Sequence, residues 1–153
     1  AVFLSAERGL DEAYAGLGYA AFALTMTAGR LTGDAIVRRL GPTRVIVIGG
    51  ALACAGLLLA PLLPAWETAL LGYALVGAGC SNIVPVLYTA VGKQTVMPEH
   101  IAVPAITTLG YAGILAGPAM IGFIAHGSSL STAFILIAVL LAAVAISGKI
   151  LKV

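Results

Sequence analysis

Charge is scarce in this chain. Only 9% of its 153 residues are Asp, Glu, Lys or Arg, against roughly 25% in an average soluble domain. With 61% hydrophobic residues and a mean hydropathy of +1.10, that scarcity excludes a water-soluble globule. A core of this size cannot hide so much apolar surface, so the excess must face lipid. The chain also lacks a basic stripe interleaved with aromatics and any zinc-ligand spacing, which excludes a nucleic-acid-binding module. Cysteine is limited to Cys54 and Cys80, which lie in apolar runs and form no C-x-x-C pair. They read as buried thiols, and no metal site is expected. No glycine-rich phosphate loop is present, so neither a nucleotide drive nor a bound cofactor is expected. The opening residues, Ala1 to Ala6, have no charged n-region and do not read as a signal peptide. They read as the last turns of a helix cut off upstream, which makes the chain a fragment.

What the sequence does contain is five long apolar segments. They run continuously rather than alternating, so they read as helices and not as barrel strands. The expected fold is an all-α polytopic transmembrane helix bundle. Its spans fall at about 13–33, 43–60, 67–91, 102–125 and 131–151, each near the roughly 20 residues that cross a bilayer. Residues 1–10 read as the end of a truncated helix and an outer loop. Asp11 or Glu12 suits the start of the first span, where free N–H groups favour a carboxylate. Gly41-Pro42 marks a turn and a helix start. Pro61 and Pro64 close the second span, and Ser131 is the expected cap of the fifth.

Seven of the eight Lys and Arg residues lie on one side of these spans: Arg30, Arg38, Arg39, Arg44, Lys93, Lys149 and Lys152. The other side holds Arg8 with Glu7, Asp11, Glu12 and Glu67. The positive-inside rule makes the basic side cytoplasmic. The chain is therefore expected to start outside, cross the bilayer five times and end in the cytoplasm. Gly72, Gly77 and Gly79 crowd the third span, and Gly113 and Gly117 form a small-xxx-small pair in the fourth. Such residues let helix backbones approach closely in lipid.

The stretch Gly29-Arg30-Leu31-Thr32-Gly33-Asp34, followed by Arg38-Arg39-Leu40-Gly41-Pro42-Thr43-Arg44, resembles the cytoplasmic signature loop of the major facilitator superfamily. Gly41 comes later than the family pattern places it, by about one helical turn. Gly77 to Pro85 is similar to the fourth helix of that family's C-terminal half, and Gly113 to Pro118 to its fifth. The resemblance covers nearly the whole chain and implies helices eight to twelve, plus the end of helix seven. It further implies a secondary active transporter working by alternating access. Its partners would be the lipid bilayer, a missing N-terminal six-helix half and a small-molecule substrate. The location would be a cell membrane, the inner membrane in a bacterium.

By the same resemblance, Asp34 with Arg38, Arg39 and Gly29 forms a cytoplasmic gate. Asp34 and Arg38 are also spaced to pair on a helical turn. Polar residues inside spans must face a bundle interior or a wet cavity. Asn82 is the leading substrate contact, beside Ser81 and Tyr88. Thr108 and Tyr111 follow in the next helix, and Tyr19 and Met26 in the first. Each has a plainer reading as an interhelical hydrogen bond or a packing residue. Pro85, Gly113, Gly117 and Pro118 are packing or hinge positions. No Asp, Glu, Lys or Arg lies near the middle of a span, which suits an uncharged polar solute. Two rivals stand beside this reading. One is a non-transporting membrane sensor or assembly subunit. The other is an intramembrane serine protease pairing Ser81 with His126, although no Gly follows Ser81 and His126 sits at a helix end.

Overall fold

A computed structural model describes residues 2–149. Residues 150–151, at the end of the fifth expected span, and Lys152 lie outside them. After a short π-helical segment, Phe3–Glu7, come α1 (Leu17–Leu31), α2 (Gly33–Leu40) and α3 (Pro42–Leu62). They are followed by α4 (Trp66–Cys80), α5 (Ile83–Lys93), α6 (Glu99–Gly127) and α7 (Leu130–Ser147). Among the described residues, four helical stretches are long and apolar enough to cross a membrane: Pro42–Leu62, Trp66–Lys93, Glu99–Gly127 and Leu130–Ser147. α1 is shorter, at 15 residues. The chain before it makes tight turns, with Ala13 N donating to Asp11 Oδ1 at 2.9 Å and Tyr14 N to Asp11 O at 2.9 Å.

α3 starts where the local chemistry allows it. Gly41 takes φ 81°, which glycine adopts without a Cβ clash, and Pro42 opens the helix with φ preset and no donor to lose. α7 is capped by Ser129, whose Oγ accepts Thr132 N at 3.1 Å. Ser131, the residue expected in that role, instead donates to the Glu7 carboxylate. The cap sits two residues earlier because the extended backbone at Ser129 aims its hydroxyl back into the first turn.

Glycine sets the centre of the bundle. α3 and α4 run antiparallel, and Gly49 faces Gly79 while Gly56 faces Gly72. A Cβ on any of the four would strike the opposite backbone carbonyl. The members on each helix are seven residues apart, the spacing that keeps one seam facing the partner. Ala53 and Ala60, both fully buried, continue that face of α3. On the other side of α3, Gly50 meets Ala145 of α7 and Ile46 meets Gly148. α1 lies parallel to α4, with Gly18 against Tyr73 and Gly77 against the Phe22 carbonyl. α6 stands at the edge, touching α5 and α7 and leaving Leu109, Leu115 and Phe123 exposed. Gly113 and Gly117 meet no described neighbour: a Cβ on either would find open space.

Two adjacent residues clasp the end of the bundle away from α2. Glu7 accepts Leu130 N at 3.1 Å and the Ser131 hydroxyl, occupying the positive end of α7. Arg8 Nη2 donates to Ala60 O at 2.7 Å and Pro61 O at 2.9 Å, occupying the negative end of α3. The guanidinium also lies 4.9 Å from the Phe3 ring centroid, and that ring is 4.8 Å from Phe134 on α7.

Two stability predictions follow from this packing. Gly79→Leu should destabilise by at least about 1–3 kcal/mol, through overpacking of a backbone contact. Gly92→Ala, which has open space around it, should be neutral or slightly stabilising. Thermal unfolding in detergent compares the two, and equal midpoints would refute the seam. Arg8→Met keeps the apolar stem and deletes the carbonyl caps. It should lower the midpoint by the equivalent of about 1–3 kcal/mol, read in the same assay against Arg44→Met as control.

Candidate functional site

The polar residues within the apolar helices gather in two places. The first is where α4 passes into α5. Pro85 has no N–H, so Ser81 O loses the donor it would have four residues on, and the proline ring crowds that same carbonyl. The helix breaks at Ser81–Asn82 as a result. Ser81 Oγ turns back to Ala78 O at 2.7 Å. Asn82 Nδ2 donates to Gly29 O on α1 at 2.9 Å and to Ser81 Oγ at 3.0 Å. Gly29 O belongs to the last turn of α1, where carbonyls have no intrahelical donor. Higher on the same interface, Thr25 Oγ1 donates to Ala74 O at 2.8 Å. Thr25 therefore carries an interhelical role, and its mid-helix hydroxyl on the α1 glycine face is the signal for it in the sequence.

Ser81 and Asn82 are buried, at 1% and 7% exposed, and their side chains are committed to this joint. The break also divides the face that uninterrupted helical spacing would give Ser81, Pro85 and Tyr88. Ser81 turns inward against α1, whereas Pro85 and Tyr88 are exposed. Gly33 is the residue that sequence reasoning missed here. A Cβ on it would overlap Asn82 Oδ1, and the only sign of this in the sequence is its place beside Asp34 in the signature loop.

The second place is a groove of about 610 Å³ between α5 and α6. Tyr88, Thr107 and Tyr111 supply its hydroxyls, and Val84, Leu87, Ile106, Leu109 and Ile114 its apolar wall. Tyr88 Oη and Thr107 Oγ1 are 2.9 Å apart and joined by a hydrogen bond. Thr107 Oγ1 also donates to Val103 O at 2.8 Å. Tyr111 is 63% exposed, with its ring open to the groove. Thr108 points elsewhere and back-bonds to Pro104 O at 2.8 Å. Tyr19 is apart from both places, 6.4 Å from Phe22 and lining a separate cavity with Phe3, Tyr73 and Phe134. Met26 is half-buried on α1. Pro118 lies inside α6, which continues through it.

Asp34, Arg38 and Arg39 lie on α2, all exposed. The i, i+4 turn is helical, yet among the described residues Asp34 and Arg38 form no ion pair. Asp34 instead shares a cavity of about 170 Å³ with Asn82, Thr89 and Lys93. Protease chemistry needs a base in contact with the serine. The Ser81 hydroxyl is bonded to Ala78 and Asn82, and His126 sits exposed in the last turn of α6.

Comparison with known proteins agrees with this architecture. The family model described as Major Facilitator Superfamily matches residues 1–152. An uncharacterized MFS-type transporter of Yersinia pestis is 53% identical over 149 residues, covering 97% of this chain and 39% of that protein. The membrane protein MosC of Rhizobium meliloti is 36% identical over 121 residues, 79% of this chain and 30% of that protein. An uncharacterized transporter of Sinorhizobium fredii is 30% identical over 152 residues, 99% of this chain and 40% of that protein. No solved structure matches. The chain thus spans at most 40% of the length of these relatives. With apolar helices throughout and a family match along almost its entire length, this multi-pass membrane chain belongs to the major facilitator superfamily.

Proposed function

We propose that this chain is the C-terminal helix bundle of a secondary active transporter that moves a small uncharged solute by alternating access. The observation that carries the reading is the α5–α6 groove. It brings three hydroxyls together on otherwise aliphatic walls, with no ionisable side chain but the tyrosines. Hydroxyls on a lipid-facing surface are costly, so this face is better suited to a wet cavity than to acyl chains. Two of the relatives carry the word transporter in their names, and each is more than twice as long as the matched part. The remaining length supplies the second half against which this bundle rocks.

The lining also bears on the solute. Tyr88 and Thr107 already satisfy one another, which leaves Tyr111 as the freest hydroxyl. A sugar, with a hydroxyl on nearly every carbon, would leave many of its groups unpaired here. A weakly polar neutral molecule with one or two hydrogen-bonding groups fits better. Asp34, Arg38 and Arg39 on α2 form the cytoplasmic gate. The basic end faces the cytoplasm of a bacterial inner-membrane protein, with the C-terminus on that side.

Flux into proteoliposomes holding the complete protein, with a panel of neutral alcohols and sugars, tests the proposal. Tyr111→Phe should weaken apparent affinity about three- to tenfold, the worth of one hydrogen bond. Thr108→Val, whose hydroxyl is already bonded within α6, should leave affinity unchanged. Binding without flux would favour the sensor or assembly-subunit reading. Unaltered affinity in both Tyr111→Phe and Tyr88→Phe would remove the groove from the solute path.

A further inference from the structure

α1 and α3 both press on α4 yet barely touch each other. Gly29 of α1 lies against Ser81, and Gly49 of α3 against Gly79, so each backbone comes close to α4. Between them a crevice of about 530 Å³ stays open. Its lining comes from the last turns of α1 and the first turns of α3, so it sits at the basic end of the bundle, beside α2. Ile36 and Leu40 of α2 and Ile48 and Leu52 of α3 form its apolar walls, and Leu40, Ile48 and Leu52 are exposed. The hydroxyls that reach it are already engaged. Thr25 donates to Ala74 O, Thr32 to Ala28 O and Ser81 to Ala78 O. Such a lining offers water few partners and suits hydrocarbon.

Two arginines stand at the mouth of the crevice. Arg39 comes three residues after Ile36 and Arg44 four before Ile48, spacings that put each on the crevice side of its helix. Both are exposed, and neither has a hydrogen bond or ion pair among the described residues. Asp34, the one carboxylate of α2, lines the other cavity, of about 170 Å³, with Lys93. Arg38, one turn after Asp34, shares that far side. We infer that the crevice binds an anionic phospholipid of the leaflet at the basic end. One acyl chain lies between α1 and α3, and Arg39 and Arg44 hold the phosphate. The guanidinium fork matches phosphate oxygens, and no carboxylate of α2 opposes the headgroup's charge. A chain seated there joins two helices that the protein itself leaves apart. The site requires only the membrane setting and is independent of the solute.

The test measures lipid binding beside a single tryptophan. The complete protein, with its other tryptophans replaced by phenylalanine, carries either Leu52→Trp in the crevice wall or Leu140→Trp on the exposed face of α7. Bilayers mix phosphatidylcholine with phosphatidylglycerol, with bromine on the chains of one or the other, and quenching gives their relative binding constant. At Leu52→Trp, phosphatidylglycerol should be favoured about 25-fold at low salt, the product of about fivefold for each arginine. At Leu140→Trp neither lipid should be favoured. Arg39→Gln and Arg44→Gln should each lower the Leu52→Trp ratio about fivefold, and Arg38→Gln should change it by less than about twofold. Ala28→Phe, which fills the crevice, should reduce quenching of Leu52→Trp by both lipids. Equal binding of the two lipids at Leu52→Trp overturns the inference. So does a loss in Arg38→Gln as large as in Arg39→Gln, because the basic end would then act as a diffuse charge. Absence of quenching at Leu52→Trp also overturns it, since protein would then cover the crevice, and unchanged quenching in Ala28→Phe takes the chain out of it. The readout is lipid binding, so a failure of the transport reading leaves this result standing.

Discussion

In a bilayer, lipid tails are as apolar as leucine, so burial of apolar surface gives helices little reason to associate. The closeness of the backbones has to do that work. The glycine seam between α3 and α4 supplies it, with each glycine facing the carbonyl of its counterpart. The rest of the bundle is arranged on this pair: α1 lies on the outer side of α4, and α7 on the outer side of α3. α6 shares none of that contact and is the least enclosed helix. Its exposed face and its open glycines belong together physically. Small residues without a neighbour leave a surface that a further element can approach closely.

Polar groups form the second layer of the design. Each hydroxyl or amide inside the helices needs a partner, because hydrocarbon offers none. Thr25 and Asn82 find theirs on the neighbouring helix and tie α1 to α4. Tyr88 and Thr107 find each other and tie α5 to α6. Polarity of this kind serves packing first. What distinguishes Tyr111 is that it remains open while the others are engaged.

Much of the architecture was legible in the sequence because membrane helices are written in a simple code. Continuous apolar runs, punctuated by Gly41-Pro42 and Gly127-Ser128-Ser129, mark where elements begin and end, although α3 runs through Pro61, expected to close it, and stops at Leu62. The break at Ser81–Asn82 was only half legible. Pro85 announces a kink, yet which neighbouring groups the break satisfies depends on α1, far away in the chain. That is why the helical spacing of Ser81 and Tyr88 overstates how much surface they share. Gly33 and Asn82 illustrate the same limit: their contact is fixed by the distance between two helix axes. A pattern read along one helix holds no information on that distance. The Glu7 and Arg8 contacts were invisible for a similar reason, since their partners lie more than fifty residues away.

The Glu7–Arg8 clasp has a consequence for how the bundle is made. Arg8 binds carbonyls at the end of α3, and Glu7 binds the start of α7, the last helix described. During synthesis the two residues leave the ribosome before either partner. Arg8 finds its ligands once α3 is threaded, but Glu7 waits through three further helices. The carboxylate can sit in interfacial water for that interval, where it is well solvated. Only the arrival of α7 draws it out of water, so the clasp closes after the other described helices have been made.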